Sequence, residues 1–281
     1  LKAVEEEPFW LTHQNNWQTV IVGGLGIAGM ALGEDHPESQ KLVELSLNRM
    51  LSYRSAIGPE GEFNENVGYA GSMRFPVAYF SAHRYFTGGE ENYLAQWPFP
   101  ESCMWYMHFF APPDRIADFG DVHVGAAPST EYFPAVAAAT RDGLFQWFYL
   151  ECPGRGATAS VPMQLLWFDA TLEPVSPAGR LSRGRAFPAH SGLISSRADW
   201  DHVSTPSLVF SKAGHGSEGH GNHDAGQVCI DGYGQRLIVD LGGPPLYPAD
   251  FFGANRYEYY NASVRGHNVL MFDDEEMASG G

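Results

Sequence analysis

Residues 171–188 read TLEPVSPAGRLSRGRAFP, and the periodicity of the chain changes across this stretch. The segment contains Pro174, Pro177 and Pro188 together with three arginines, and it follows neither a helical nor a strand pattern. Proline lacks a backbone donor and restricts the residue before it, so such a segment favours a linker. We therefore predict a boundary between two parts of the chain here.

The part before this linker has the spacing of amphipathic helices. The clearest case begins near Pro37, where leucines and methionines follow at helical intervals. The glycines of the first helix would permit close helix contacts. Helices are predicted over residues 17–32, 37–53, 69–85, 97–110 and 134–150. Successive helical hairpins with loops between them are typical of an α/α toroid.

The part after the linker consists of short runs that are rich in β-branched and aromatic residues and are bounded by Gly, Asp or Asn. Strands are predicted over residues 193–196, 207–211, 227–230, 237–241 and 269–272. The sequence therefore predicts an α+β fold with helical domain 1–170, linker 171–188 and antiparallel β domain 189–281.

Composition limits the classes of partner. The chain has 281 residues and a net charge of −16, which disfavours nucleic acid and anionic membranes at long range. The longest apolar run, residues 20–32, is short for a membrane span and contains four glycines. The acidic residues 5–7 do not fit a signal peptide. We expect a fragment of a longer protein, from which a signal peptide could have been lost.

A cluster of histidines precedes one of the predicted strands. Residues 215–226 read HGSEGHGNHDAG and place His215, His220 and His223 within nine residues. Any one of them could be an exposed histidine in a glycine-rich loop. Three together, with Asp240 and His267 further along, suit Zn²⁺ or a similar divalent ion.

The register of a predicted hairpin bears on this cluster. A two-residue turn at Asp231-Gly232, or one residue later, places His223 on the same face as Asp240. A three-residue bulged loop would reverse this result. His267 would arrive from a later strand.

A second group, His13, Asn16 and Tyr69, is weak when taken alone. A histidine and amides before a helix more often cap it, and a tyrosine is often a core residue. The order of motifs along the chain gives these residues more weight. The motifs are His13-x-x-Asn16-Trp17, Glu65-x-x-x-Tyr69, Phe119-Gly120-Asp121, Phe187-Pro188, Ser196-Arg197-x-x-Trp200, His220 to Gly226, Asp240-x-Gly242 and Gly266-His267-Asn268.

In this order, the motifs resemble heparinase II/III-like polysaccharide lyases. The resemblance implies an incomplete α/α toroid packed on an antiparallel β-sandwich, with the substrate cleft between them. It also implies β-elimination of uronate-containing acidic polysaccharides or oligosaccharides of the alginate or glycosaminoglycan type. A periplasmic or secreted location would follow. The acidic surface would repel such a substrate, so the cleft should be locally basic.

The resemblance also implies roles for individual residues. Asn16, with His13 beside it, would bind the substrate carboxylate; Tyr69 would be the acid and, in some members, also the base. His220 would be the partner histidine. The zinc ligands would be His223, Asp240 and His267, although many relatives carry His-x-Asp where this chain has Asn222-His223-Asp224. The ligand could therefore be His220 or His223, or the site could be empty.

A tyrosine that acts as a base needs nearby positive charge to lower its pKa, and Arg74 is the basic residue expected to matter.

Two alternatives come from other classes. A glycoside hydrolase on the same helical scaffold would need two carboxylates, which could come from Glu60, Glu62, Glu65 and Asp121. A non-catalytic glycan-binding protein would use the many aromatic residues for stacking on sugars.

Overall fold

The computed structural model describes residues 5–152, 161–214 and 218–278. Its helices are α1 Phe9–Thr12, α2 Asn16–Leu32, α3 Ser39–Tyr53, α4 Asn66–Tyr69, α5 Arg74–Phe86, α6 Phe99–His108, α7 Phe133–Thr140, α8 Gly143–Glu151 and α9 Val161–Trp167. Its strands are β1 Phe110–Ala111, β2 Arg115–Ile116, β3 Gly184–Phe187, β4 Leu193–Arg197, β5 Leu208–Lys212, β6 Val228–Gly232 and β7 Gln235–Ile238. The predicted order, helices followed by an antiparallel sheet, is confirmed. None of the helices in these ranges has the length and apolar character needed to cross a membrane.

The glycines of α2 allow it to pack closely on its neighbours, as expected from the sequence. A Cβ atom on Gly26 would lie 2.2 Å from Ser46 Oγ on α3 and 2.5 Å from the Tyr79 ring on α5. Real Cβ atoms do not approach other atoms so closely, so a larger residue would push these helices apart.

Two of the predicted helices are divided in the structure. The run over residues 134–150 forms α7 and α8, because Arg141 takes a positive φ of 57° and ends the first helix. Asp142 then caps α8 by accepting a hydrogen bond from the Leu144 N–H at 2.9 Å. The run over residues 69–85 likewise starts as α4, passes through a 3-10 turn at Ala70–Met73 and continues as α5.

The five strands β3 to β7 form one antiparallel sheet in which neighbours in sequence are neighbours in space. Strand β3 lies inside the segment predicted as a linker, where it pairs with β4. Residues 269–272, predicted as a strand, adopt no strand conformation. Leu270 and Phe272 in that segment are largely exposed, so this run lacks the burial that its composition suggested.

The hairpin between β6 and β7 turns later than predicted. Gly232 pairs with Gln235, so the two-residue turn is Tyr233-Gly234, and both of its residues have positive φ. A register shift between Ile230 and Asp231 adds a bulge. Because a bulge moves side chains to the other face, the predicted alignment of His223 with Asp240 does not form.

The sheet packs directly on the helical part. Phe109 at the end of α6 contacts the rings of Phe187 on β3 and Phe210 on β5. Arg197 on β4 is buried and donates to the carbonyl oxygens of His108 and Phe110, both at 2.8 Å. The two parts therefore share a core, and the loops that face each other across it carry the candidate site.

Candidate functional site

A tyrosine from the helical part and a histidine from the β part meet between the two. Tyr69 ends α4, and His220 lies in the loop before β6. Their rings are stacked, with centroids 3.6 Å apart and planes inclined by 11°. The His220 side chain keeps 19% of its surface exposed, so a ligand could reach it.

The Tyr69 hydroxyl lies 3.2 Å from the hydroxyl of Tyr247. The pKa of Tyr69 is raised above its ordinary value of 10.0, mainly by burial and further by the carboxylates of Asp121 and Glu65. The contact with Tyr247 and the positive charge of Arg256 oppose this effect without overcoming it. Tyr69 is therefore a neutral phenol at physiological pH and can donate a proton.

This result corrects the expectation that nearby positive charge lowers the pKa of Tyr69. Arg74, the residue expected to supply that charge, instead lies 3.4 Å from a Glu131 carboxylate oxygen and over the ring of Phe75. The cation that acts on Tyr69 is Arg256.

Two carboxylates flank the His220 ring. Its Nδ1 lies 3.0 Å from Asp121 Oδ2, and its Nε2 lies 3.7 Å from Glu65 Oε2. The other Glu65 oxygen accepts the Asn16 backbone N–H at 2.7 Å. Burial raises the pKa of Glu65, while that hydrogen bond and His220 partly offset the rise. A connected path thus runs from the start of α2 through Glu65 and His220 to Tyr69.

Asn16 carries a side-chain oxygen, Oδ1, that is buried and has no hydrogen-bond partner among the described residues. The oxygen and nitrogen of an asparagine amide have nearly the same shape and can be exchanged. The exchange would place a hydrogen-bond donor at the same point. The side chain therefore has a hydrogen-bonding position that no described residue fills, which is uncommon for a buried polar atom.

His13 is not part of this network. Its Nδ1 lies 3.1 Å from the carbonyl oxygen of Phe9, and its ring contacts the Phe9 ring. The structure thus connects Asn16, Tyr69 and His220, and it places His13 at the exposed end of α1.

A cleft of about 320 Å³ opens beside the Tyr69 and Tyr247 hydroxyls. Its walls include Tyr69, Tyr106, Asp121, His123, Ser129 and Tyr247. Gly68, Ile116, Val122, Ala126 and Ala127 complete the walls, so the cleft offers both polar and apolar surface, a mixture that suits a sugar ring.

A second Asp and His cluster lies within the β part. Asp224, Asp240 and His267 bring one possible ligand atom each within 4.8 Å of the others. His267 Nδ1 lies 3.2 Å from Asp240 Oδ2, and both side chains are fully buried. Asp240 and His267 were predicted to lie together, and the structure places Asp224 with them.

His223, the predicted third member, lies elsewhere. Its Nδ1 is 3.0 Å from Glu276 Oε2, and its ring stacks on Tyr257 with centroids 3.5 Å apart. His223 lies before β6 begins, so it is not part of the hairpin. The bulge in the hairpin also removes the regular alternation of side chains on which the prediction depended. His215 lies outside the described residues.

A lysine is built into this second cluster. The Lys212 ammonium is fully buried and is bonded to carboxylate oxygens of Asp224 and Glu218. Burial raises the pKa of Asp224 to about 6, although Lys212 opposes the rise. Asp224 Oδ2 and His267 Nε2 are buried without a hydrogen-bond partner in the described ranges, and two carboxylates with an imidazole are a donor set that fits zinc.

Some residues of these sites carried only a weak signal in the sequence. Arg256 is the sole basic residue in the aromatic stretch FFGANRYEYY, residues 251–260, and Lys212 is one of three lysines and ends an apolar strand. A charge in such a setting is a candidate for burial with a partner. Tyr247 lies among prolines and offered no comparable signal.

No protein-family model and no curated protein matches this chain. Among solved structures, it is similar to the heparan sulfate lyase HepC from Pedobacter heparinus, with a TM-score of 0.66 and 16% identity over 96% of this chain and 40% of that one. It is also similar to a heparinase III, with a TM-score of 0.67 and 14% identity over 98% of this chain and 42% of that one. The chain therefore spans about two fifths of these proteins, and its fold is that of the corresponding part of heparinase III.

Proposed function

We propose that this chain is part of a polysaccharide lyase that cleaves uronate-containing acidic glycans by β-elimination and leaves a 4,5-unsaturated uronate end. The observation that supports this most is the stack of Tyr69 on His220 where the helical and β parts meet, with Tyr69 in the wall of a cleft. The likeness of the fold to heparinase III supports the same reading. An incomplete α/α toroid, an antiparallel β-sandwich and a periplasmic or secreted location belong to this proposal.

The reaction breaks the C5–H bond and the C4–O4 bond of a uronate and forms a C4=C5 double bond. The Asn16 amide binds the carboxylate on C5, which stabilises the charge that develops there. His220 takes the C5 proton as general base. Tyr69, whose raised pKa keeps it protonated, gives its proton to the leaving O4.

The locally basic cleft expected from the sequence is not found, because no lysine or arginine is among the described residues that line it. Asp121 is bonded to Arg256 at 2.8 Å, so its negative charge is compensated. Glu65 accepts the Asn16 N–H and faces His220. Arg256 thus reduces the repulsion that Asp121 would exert on a uronate.

The same contacts argue against a glycoside hydrolase. Such an enzyme needs two carboxylates free to flank the glycosidic bond. Glu60 is paired with Arg185 at 2.9 Å, and Glu62 accepts the backbone N–H of Glu60 at 2.8 Å. Glu65 and Asp121 are both turned to His220.

We also propose that a divalent metal, zinc by its donor set, is bound by Asp224, Asp240 and His267. Such an ion would neutralise buried carboxylates and hold the segments that carry them together. Because Asp240 and His267 are fully buried, it would stabilise the fold rather than touch the glycan. Metal analysis of the purified protein, with unfolding temperatures before and after chelation, tests this directly. Absence of bound metal, together with an unchanged unfolding temperature, would contradict it.

A panel of alginate, heparan sulfate and chondroitin sulfate tests the activity. We expect the full-length protein to release products with the ultraviolet absorbance of an unsaturated uronate from at least one of them. New reducing ends without that absorbance would indicate a hydrolase. Retention on a glycan column without any cleavage would indicate a binding protein.

A further inference from the structure

Asp121 holds His220 at two points. Its side chain faces the imidazole Nδ1 at 3.0 Å, and its backbone N–H donates to the His220 carbonyl oxygen at 3.1 Å. Gly120, just before it, has a φ of 72°, and a Cβ there would lie 2.5 Å from that carbonyl oxygen. Only glycine fits such a close backbone approach. The two loops are therefore locked together at the histidine.

His220 itself has an unusual backbone. Its φ is 59°, in the left-handed region that residues other than glycine rarely occupy. Such conformations persist where surrounding contacts fix them, and they cluster at functional sites. Here the fixing contacts are those of Asp121.

Arg256 completes the arrangement. Its Nη2 donates to Asp121 Oδ1 at 2.8 Å, on the oxygen that His220 does not use. Its Nε and Nη2 also donate to the carbonyl oxygen of Gly221, the residue after His220. The guanidinium carbon lies 4.6 Å from the centre of the Phe251 ring, so the side chain is packed as well as bonded. Arg256 thus ties the carboxylate to the histidine loop.

We propose that Asp121 and Arg256 are positioning residues that fix the tautomer and orientation of His220. This inference rests on the proposed lyase function. An anionic Asp121 accepts a hydrogen bond from Nδ1–H, which leaves the lone pair of the imidazole on Nε2, the nitrogen that lies 3.7 Å from Glu65 Oε2 and would take the C5 proton. Arg256 keeps the carboxylate in place and offsets its charge. Both residues act through His220.

The test compares two Asp–Arg pairs of the same region. Asp121→Asn should shift His220 to the Nε2–H tautomer, because the amide then donates to Nδ1, and should lower kcat about 10²–10⁴-fold with little change in KM. The control is Asp118→Asn. Asp118 is buried, lies three residues earlier and is bonded to Arg236, so its loss perturbs a similar ion pair without touching His220. A second pair of variants makes a milder change. Arg256→Lys is the test, and Arg236→Lys is its control.

The tautomer is measured by nitrogen NMR on histidine-labelled protein, with a His220→Gln sample to assign the signal. This readout needs no substrate, so it separates failure of the positioning role from failure of the proposed lyase function. We expect the tautomer and kcat to change together in Asp121→Asn and to stay unchanged in Asp118→Asn. Arg256→Lys should retain much of the activity because it keeps the charge. An unchanged His220 tautomer in Asp121→Asn, or an equal loss of kcat in the Asp118 variant, would overturn the proposal.

Discussion

Two Asp and His clusters in this protein have similar residues and opposite surroundings. In the first, His220 is held by Asp121, and 19% of its side chain faces solvent beside a cleft. In the second, Asp240 and His267 are fully buried, and the Lys212 ammonium lies against Asp224. Similar residue types therefore occur in one partly exposed setting and in one enclosed setting.

The difference lies in which atoms remain available. At the first cluster, the Asp121 charge is met by Arg256 on one oxygen and by His220 on the other, and the Tyr69 ring that stacks on His220 lines a cleft that a ligand could enter. At the second, every group is enclosed by protein, and a polymer could not reach it. We infer that the first cluster acts on substrate and that the second maintains the β part.

The strongest test of this comparison is Tyr69→Phe. Loss of the hydroxyl removes the proposed proton donor, so kcat should fall about 10²–10⁴-fold while KM and the unfolding temperature stay close to wild type. Steady-state release of unsaturated product measures the effect. Tyr79→Phe is the control, because its hydroxyl is also hydrogen-bonded, to Ser46 at 3.1 Å, within the helical core. Wild-type turnover by Tyr69→Phe would make Tyr69 a packing residue.

Lys212→Met should have the opposite profile. It leaves the buried carboxylates of Asp224 and Glu218 without their cation, which should lower the free energy of unfolding by about 3–5 kcal/mol. Turnover per folded molecule should not change. Urea unfolding measures the first quantity and active-site titration the second. Lys41→Met, which removes an exposed pair with Glu38, should cost only about 0–1 kcal/mol. A selective loss of kcat in Lys212→Met would show that the two clusters are not separate in function.

Asn16→Ala tests the link between the helical part and the substrate carboxylate. Loss of the amide should lower kcat about 10²–10³-fold, since developing charge would lose its partner. Asn15→Ala removes the N-cap of α2, which accepts from the Trp17 and Gln18 N–H groups, and should cost about 1 kcal/mol of stability with turnover retained. Equal kinetics in the two variants would argue that Asn16 acts only on the helix.

The smallest expected effect is in the alkaline pH profile. A phenol that donates a proton is active below its pKa and inactive above it. Because the pKa of Tyr69 is raised above 10.0, the profile should show no loss from Tyr69 as the pH approaches 10. A rate that instead climbs steadily toward pH 10 would indicate a phenolate base and reverse the assignment of Tyr69.

The hydrophobic periodicity of the sequence and the positions of its glycines were sufficient to predict the order of helices and strands along the chain. The change of pattern at residues 171–188 marked where helices give way to an antiparallel sheet, and the glycines of α2 matched its close contacts with α3 and α5. Both features are local, since they depend on the spacing of residues in one segment.

The details of the sites depended on contacts that no local pattern contains. The Asp231-Gly232 pair is a strong turn signal, yet the turn forms at Tyr233-Gly234, because tertiary context fixes which residues take positive φ. That shift and the bulge separate His223 from Asp240. Arg256 reaches Asp121 across 135 positions of the chain, a distance over which sequence spacing carries no information.

The stack of Tyr69 on His220 has a consequence for how the molecule responds to stress. Each ring belongs to a different part of the chain. The rings can stay 3.6 Å apart only while the sheet remains packed against the helices. Separation of the two parts by a few ångströms would end the proposed catalysis while every helix and strand remained intact. The activity of the proposed lyase would therefore report the docking of the two parts, and in rising denaturant it should fade before the helical circular dichroism signal does.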